Sequence, residues 1–163
     1  MKNVWLMVVA LTLVGGIQTV SAEEPAPMTP VMISIMTPVQ GPTPEWDVKG
    51  FRLDILYGRC HNMYGLDIGG VANHATGKEV GLAASFVLNY SEKEFTGLQV
   101  AAVNVSSKVK ALQIGVYNEA DDMTGLQIGL INHTRLMEGC QIGLINVIDR
   151  SDFPFLPVIN FLF

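Results

Sequence analysis

The chain has 163 residues, of which 49% are hydrophobic and 15% charged, and its formal net charge is −5. This length and apolar content suit one domain with a substantial core and exclude a disordered chain. Because nucleic acids require clustered Lys and Arg, the acidic balance predicts no nucleic-acid partner. The sequence also contains no recognisable metal-ligand cluster, phosphate-binding loop or activated nucleophile. We therefore predict neither an enzymatic activity nor a cofactor or metal ion.

The first 22 residues have the pattern of a secretory signal peptide. Lys2 precedes an apolar run from Val4 to Val14, and Val20-Ser21-Ala22 provides the small residues of a cleavage site. We expect cleavage after Ala22. The pattern predicts an exported protein, located at the cell surface, in the outer membrane or in the periplasm.

Residues 23–49 form a proline-rich N-terminal segment. Six of the eight prolines lie here, and the other two, Pro154 and Pro157, lie near the C-terminus. Because proline removes a backbone donor, it is tolerated at the edges of a sheet but not in its interior. We predict one short strand over residues 31–36 and a connecting loop after it.

Residues 50–163 form a repeat domain of about eight units, each of 14–16 residues. The best-preserved copies read Gly-Leu-Gln-Ile and recur every 14 residues, each ending in an asparagine. By the same spacing, residues 153–163 form a further copy. The recurring residues that we assign a structural role are Gln99, Gln113, Gln127, Gln141, Asn104, Asn118, Asn132, Asn146 and Asn160.

Apolar residues alternate within a unit, as in Leu126, Ile128 and Leu130, and this alternation predicts strands. In a β-solenoid each unit forms one coil, with the Leu, Ile and Asn side chains pointing inward. The Asn side chains then form an internal ladder, and the Gln side chains form an exposed ladder on the opposite face of the strand. An apolar residue two positions before each unit closes the core from the other side, as Phe95, Val109, Met123 and Met137 illustrate.

The alternative architecture is a small up-and-down antiparallel β-barrel of the outer membrane. The alternating Ile159, Phe161 and Phe163 favour it, because they resemble the last strand of such proteins. Two observations favour the solenoid instead. The three apolar positions of a unit span only about 13 Å at roughly 3.3 Å per residue, whereas such barrels need an apolar band of roughly 25 Å. Identical neighbouring units also favour parallel stacking.

The repeat resembles a known group of bacterial surface-repeat proteins. The units Gly125-Leu126-Gln127-Ile128-Gly129-Leu130-Ile131-Asn132 and Gly139-Cys140-Gln141-Ile142-Gly143-Leu144-Ile145-Asn146 look like the GLQIGLxN repeats of exported proteins in spirochaetes and other Gram-negative bacteria. The similarity covers most of residues 50–163. It implies an envelope-associated protein in a group without an established enzymatic activity. The chain departs from the pattern at residues 82–85, where the Gln is missing, and at Cys140.

These features predict a non-enzymatic, exported envelope or surface protein with a structural or adhesive role. Its partners would be envelope components or surface ligands of a host. The alternative function is that of an integral outer-membrane barrel protein. A third class, a hydrolase, would use Asp54 and Asp67 for acid–base chemistry. Arg52 lies near both carboxylates in the sequence and instead predicts a salt-bridged surface.

The two cysteines are predicted to be free thiols. Units that stack at about 4.8 Å separate Cys60 from Cys140 by more than roughly 20 Å, which is too far for a disulfide. Cys140 replaces a Leu that points inward in this interpretation, so we expect it to be buried. Cys60 follows the first unit, where a loop would make it more accessible.

Overall fold

The computed structural model describes residues 25–163, so the predicted signal peptide lies outside the described residues. Strands are separated by short turns throughout this part of the chain, as the Val and Ile content of the repeats predicts. The strands are β1 (Met28–Met36), β2 (Val39–Gly41), β3 (Asp47–Cys60), β4 (Met63–Gly69), β5 (Ala72–Ala75), β6 (Lys78–Ser85), β7 (Leu88–Val100), β8 (Val103–Ile114), β9 (Tyr117–Ile128), β10 (Ile131–Ile148) and β11 (Phe155–Leu162).

Successive coils pair in parallel, and the chain forms the predicted β-solenoid. The sheet order is β11-β10-β9-β8-β7-β6-β4-β3-β1-β2, with β5 paired to β3 and β7. All pairs from β1·β3 to β9·β10 in this order are parallel. The up-and-down antiparallel barrel is therefore not the architecture of the described residues. Long strands such as β10 continue around the corners of a coil instead of ending there.

Equivalent residues of neighbouring units lie directly above one another. Gly139 pairs with Gly125, Gln141 with Gln127, and Asn132 with Asn118. The 15- and 16-residue units near the N-terminus keep the same pairing, because their extra residues are taken up in the turns around residues 76–78 and 85–87 and at a bulge between Ser91 and Glu94 in β7. Each repeat position thus forms a column of side chains along the axis of the solenoid.

The predicted orientation of the Gln, Leu and Ile side chains was wrong. Gln127 is buried, whereas Leu126 and Ile128 lie on the outer surface. Simple alternation fails at the corner, where the amides of Leu130 and Ile131 both donate to the Val116 carbonyl. Leu130 and Ile131 both point outward there. As a result, Gln127 before the corner and Asn132 after it both point inward, although simple alternation would place them on opposite faces.

Four columns of side chains fill the interior of each coil in the second half of the solenoid. They hold Gln, Asn, a small residue such as Ala120 or Thr134, and an apolar residue such as Met123 or Val109. The predicted burial of the apolar column is confirmed, and Phe95, Val109, Met123 and Met137 form one core cluster. A second cluster near the N-terminus contains Met32, Val48, Cys60, Met63 and Ala75.

Both ends of the solenoid are covered by an antiparallel strand. The proline-rich segment contributes β1, which pairs in parallel with β3, and β2, which folds back antiparallel onto β1. The described part of this segment, residues 25–49, thus supplies two strands and the start of β3 rather than one short strand, and the sheet continues without a break into residues 50–163. At the other end, β11 pairs antiparallel with β10, so residues 153–163 are not a further parallel copy.

Candidate binding face

Two outward columns build an uncharged surface, which we call the apolar face. They consist of the residues on either side of the repeat Gln, and they run from β1 to β11 along the whole stack. The first column contains Val31, Phe51, Leu66, Leu82, Leu98, Leu112, Leu126, Cys140 and Phe161, and the second contains Ile33, Leu53, Ile68, Ala84, Val100, Ile114, Ile128, Ile142 and Ile159.

The apolar face is open to solvent in the single chain. Leu66, Ile68 and Val100 each expose 37% of their surface, because the equivalents above and below cover the rest. Along one border, the corner of each coil adds a ridge of more exposed apolar side chains. This ridge contains Phe86, Val116, Leu130 and Leu144, with exposed fractions between 51% and 83%.

The Gln ladder lies directly beneath the apolar face. The Nε2 of Gln113, Gln127 and Gln141 each donates to the Oε1 of the Gln in the preceding coil at 2.8 Å. Gln99 ends the ladder by donating to the hydroxyl groups of Ser91 and Ser106 at 3.2 and 3.1 Å. A ladder of glutamines was expected on the outer surface, but it lies inside, where each amide holds neighbouring strands in register.

The Asn ladder lies inside the adjacent corner. Asn132 donates to Asn146 Oδ1 at 2.8 Å and to the Ile142 carbonyl at 3.0 Å, and it accepts a bond of 2.8 Å from Asn118. Asn89, Asn104 and Asn118 follow the same scheme, whereas Asn73 begins the ladder as a donor only and Asn146 ends it by donating to backbone carbonyls. The ladder consists of Asn73, Asn89, Asn104, Asn118, Asn132 and Asn146.

Asn160 does not belong to the Asn ladder. Because β11 runs antiparallel, Asn160 pairs with Gln141 rather than following Asn146. Its side chain is buried and lies within 3.4–3.5 Å of the carbonyls of Asn146 and Pro154. The spacing of 14 residues thus identified an inward position but assigned it to the wrong column.

The opposite side of the solenoid is charged. Its outward positions lie one and three residues before the repeat Gly, and they carry both signs. Lys78 and Lys110 lie 3.7 Å from the carboxylate of Glu94, and Arg135 lies 2.9 Å from that of Asp122. Exposed pairs of this kind contribute little to stability. They do give the outer surface two unlike sides, one apolar and one charged.

The N-terminal coils contain a buried ionic cluster in place of the Gln ladder. Arg52 and Asp67 occupy the Gln column and form a bidentate pair, with Arg52 Nε 2.7 Å from Asp67 Oδ1. Arg52 also donates to the His74 carbonyl at 3.0 Å. The side chains of this pair are completely buried. The predicted salt bridge therefore exists, but it lies inside the coil rather than on the surface.

Two further carboxyl groups line this cluster. Asp54 Oδ2 lies 3.1 Å from Arg52 Nε, which donates to Asp67, and neither Asp54 oxygen has a hydrogen-bond partner. Burial raises the pKa of Asp54 to about 7, while Arg52 opposes the shift and Asp67 reinforces it. Burial also raises the pKa of Glu79, which accepts a hydrogen bond from Ser91.

Asp54 and Asp67, the residues of the hydrolase alternative, meet around Arg52. Their side chains have no exposed surface, so a substrate in solvent has no access to either carboxyl group in this conformation. Among residues 25–163, no group of three or more His, Cys, Asp or Glu side chains is placed to hold a metal ion.

Both cysteines are free, but their predicted environments were the reverse of those observed. Cys60 is buried in the N-terminal core cluster, because β3 continues around the corner where a loop was expected. Burial raises the pKa of its thiol to about 12. Cys140 lies half-buried in the first column of the apolar face, because that column points outward.

The apolar face was not predicted from the sequence, although two signals for it were present. No charged residue occurs in either column across the repeats. Consecutive apolar residues, such as Leu130-Ile131 and Leu144-Ile145, precede the repeat Asn and mark a corner at which both side chains point outward.

Comparison with known protein families, with curated proteins and with solved structures finds no match. In the part of the chain that the structure describes, no helix has the length and apolar character needed to cross a membrane.

Proposed function

We propose that this chain is an exported, non-enzymatic repeat protein of the bacterial envelope, and that it acts as a structural or binding module through its apolar face. The observation that carries the proposal is the continuous uncharged surface from β1 to β11. Monomeric soluble proteins rarely expose apolar patches larger than a few hundred Å², and larger ones mark interaction sites. A surface of this extent is therefore expected to be covered in the working protein.

The distribution of polar groups supports a structural role. The repeat Gln and Asn amides are used to bind neighbouring coils to one another, so they hold the outer columns in a flat and regular array. Arg52 and Asp67 are likewise paired with each other inside the coil. Because these polar groups are used inside the coil, the outer surface is the part of the solenoid that would bind a partner.

The proposed export rests on the signal-peptide pattern of residues 1–22 and on the resemblance to exported GLQIGLxN proteins. An envelope protein of this type would meet other envelope components on its apolar face. The charged side would remain in contact with water, so its ion pairs would pay no desolvation penalty.

Thiol labelling in intact cells tests both docking and export. Cys140 is a natural reporter on the apolar face, and Cys60 is buried. We expect a small membrane-impermeant maleimide to label Cys140 slowly in cells that express the natural chain. It should label Cys140 rapidly in cells that express Val100→Lys, in which a charge on the face prevents docking.

The matched control places a thiol halfway round the coil from the apolar face. Asp121→Cys, combined with Cys140→Leu, should be labelled at the same rate in both backgrounds, because Asp121 is exposed and lies midway along the chain between Ile114 and Ile128 of the second column. Equal labelling of Cys140 with and without Val100→Lys would contradict docking through this face. If the thiol introduced by Asp121→Cys is protected in intact cells but labelled in lysed cells, the proposed export is wrong.

A further inference from the structure

The apolar face is long enough to form a protein interface by itself. It crosses nine strands, namely β1, β3, β4 and β6 to β11, and at about 4.8 Å per strand it is roughly 38 Å long. From the first column to the corner ridge it is about 13 Å wide, at roughly 3.3 Å per residue. Two such faces in contact bury about 1,000 Å² in projection, which reaches the area that a specific interface needs.

The chemistry of the apolar face restricts its partner. Neither column contains a charged residue, so the partner surface must also be uncharged over most of this length. The chain itself supplies a surface that meets this condition, with the same length and the same spacing between columns. Flat sheets that present such side chains pack face to face at about 10 Å.

The charge pattern disfavours a lipid surface as the partner. Membrane-surface elements carry Lys and Arg along the border of their apolar side. Here the chain is acidic overall, and the column beside the apolar face contains Lys110, Thr124 and Glu138, so both signs occur. These borders give no attraction toward anionic lipids.

The ends of the solenoid are also closed to a second copy. The antiparallel strands β2 and β11 cover the two ends and interrupt the parallel, in-register stacking. Antiparallel edge strands that carry proline are poor templates for further pairing. Association between copies is thereby directed to the side of the solenoid.

We propose that the apolar face binds the apolar face of a second copy of this chain, forming a two-fold symmetric dimer. This inference rests on the proposed function and names the partner of the same surface. Strand β7 is the fifth of the nine strands in the face. With full overlap, it lies opposite β7 of the second copy whether the two stacks run in the same or in opposite directions.

Sedimentation of the purified chain over a range of concentrations tests the dimer. We expect a monomer–dimer equilibrium for the natural chain. Val100→Lys adds one buried charge per copy at the centre of the interface and should weaken the dimer by about 100-fold or more. Asp121→Lys, which places the same side chain at an exposed position halfway round the coil, should leave the equilibrium unchanged.

A cross-linking test avoids the risk that Val100→Lys disturbs the fold. Val100→Cys retains a small apolar side chain, and in a Cys140→Leu background a short bis-maleimide should link two copies across packed sheets about 10 Å apart. Asp121→Cys in the same background should not be linked. A natural chain that remains monomeric at about 200 μM, two orders of magnitude above a dissociation constant of about 1 μM, or a dimer that Val100→Lys leaves intact, would overturn the proposal.

These outcomes separate the partner from the function. If Cys140 is protected in cells while the purified natural chain stays monomeric, the face has another occupant. The second copy is then excluded as the partner, but docking through the face stands. If Cys140 is equally labelled in cells with and without Val100→Lys, the proposed function itself fails.

Discussion

A buried Asn of the repeat makes three hydrogen bonds within one short side chain. The amide of Asn132 bonds to the Asn side chains above and below and to a backbone carbonyl in the next coil. Gly115, Gly129 and Gly143 provide the space for the ladder, because a Cβ at these positions would meet Asn side-chain atoms within 3.1 Å. In these three units the second Gly leaves room for the Asn ladder, whereas Ala101 occupies the equivalent position in the unit of Asn104.

Asn132→Leu should destabilise the fold strongly. The change removes three hydrogen bonds and leaves buried partners unsatisfied, at about 1 kcal/mol or more for each bond. We expect the free energy of unfolding to fall by about 3 kcal/mol, measured by denaturant titration. Asp121→Leu, a change of similar size at an exposed position, should have little effect. An unchanged unfolding midpoint for Asn132→Leu would show that the ladder contributes nothing to stability.

The carboxyl group of Asp54 makes stability depend on pH. Its pKa is about 7 in the folded chain because of burial, compared with about 3.9 when unfolded. Between these values the folded state holds a proton that the unfolded state has released. Raising the pH from about 4 through 7 therefore lowers the free energy of unfolding, by a few kcal/mol at most, and the loss is complete above pH 7. Glu79, whose pKa is also raised, acts in the same direction.

Asp54→Asn should remove the part of this dependence that comes from Asp54, while Glu79 retains its own part. We expect the unfolding midpoints of the variant at pH 5 and pH 8 to lie closer together than those of the natural chain. The variant should also be the more stable of the two at pH 8, because it has no carboxylate to bury. Asp152→Asn, at an exposed position, provides the control. If Asp54→Asn shows the full dependence of the natural chain, then Asp54 is not its source.

At the scale of the coil, the 14-residue spacing predicts much of the architecture. Identical residues at a fixed interval favour parallel stacking in register, and the pairing of Gln141 with Gln127 follows from it. The corner does not follow from simple alternation, because two successive residues point outward there. If Asn132 points inward and the alternation continues without a break, Gln127 must point outward. Gln127 is in fact buried.

That single parity error explains three wrong assignments. It placed the Gln side chains and Asp67 on the surface, since both occupy the same column. It also placed Cys140 in the core, since its column alternates with that of Gln. The direction of β11 has a different cause. The sequence 153–163 retains the spacing of the repeat, but the turn at residues 149–154 reverses the chain.

The first Gly of each unit is required by the close approach of successive coils. Gly125 has a φ of 132°, a region that side-chain-bearing residues rarely adopt, and an added Cβ would collide with the Ala111 carbonyl. Ala111 itself occupies the same column without a positive φ. Whether a Cβ is tolerated at this repeat position therefore depends on the local backbone φ and not only on the column in which the residue lies.

Gly125→Ala should therefore destabilise the solenoid by more than about 1 kcal/mol, because the native φ is incompatible with Ala. Ala111→Gly is the matched control in the neighbouring coil and should cost about 1 kcal/mol or less through added freedom of the unfolded chain. Thermal and denaturant unfolding of both variants measures the difference. A Gly125→Ala chain that is as stable as the Ala111→Gly chain would contradict the steric requirement.

For the whole molecule, the two unlike sides and the two closed ends define how it can associate. In the second half, the ladders bind the interior amides of successive coils to one another, except at the C-terminal end, where Gln141 Oε1 and Asn160 Oδ1 have no partner. The apolar residues are therefore available on the outside. A side-by-side contact removes the apolar face from water and leaves the charged side solvated. End-to-end growth is the competing mode, because the edge of any coil matches the coil that precedes it.

Strand β11 is the element that prevents end-to-end growth at the C-terminal end. It pairs antiparallel with β10, buries Asn160 against Gln141, and carries Pro154 and Pro157 next to the open edge. Deleting residues 150–163 should expose the edge of β10 together with the free ends of the Gln and Asn ladders. An unpaired edge of this kind is a template for further strand pairing.

We expect the truncated chain to form end-to-end dimers that increase with concentration, because the edge of β10 is open while β2 still covers the other end of the stack. The deletion is made in the Val100→Lys background, so that contact between apolar faces does not contribute. Sedimentation should show dimers for the truncated chain and monomers for full-length Val100→Lys. Pairing should be suppressed by Gln141→Lys, which adds a charge at the exposed end of the ladder, because a second chain stacked there would have to bury it unpaired. A truncated chain that remains a folded monomer would show that β11 is not needed to block stacking.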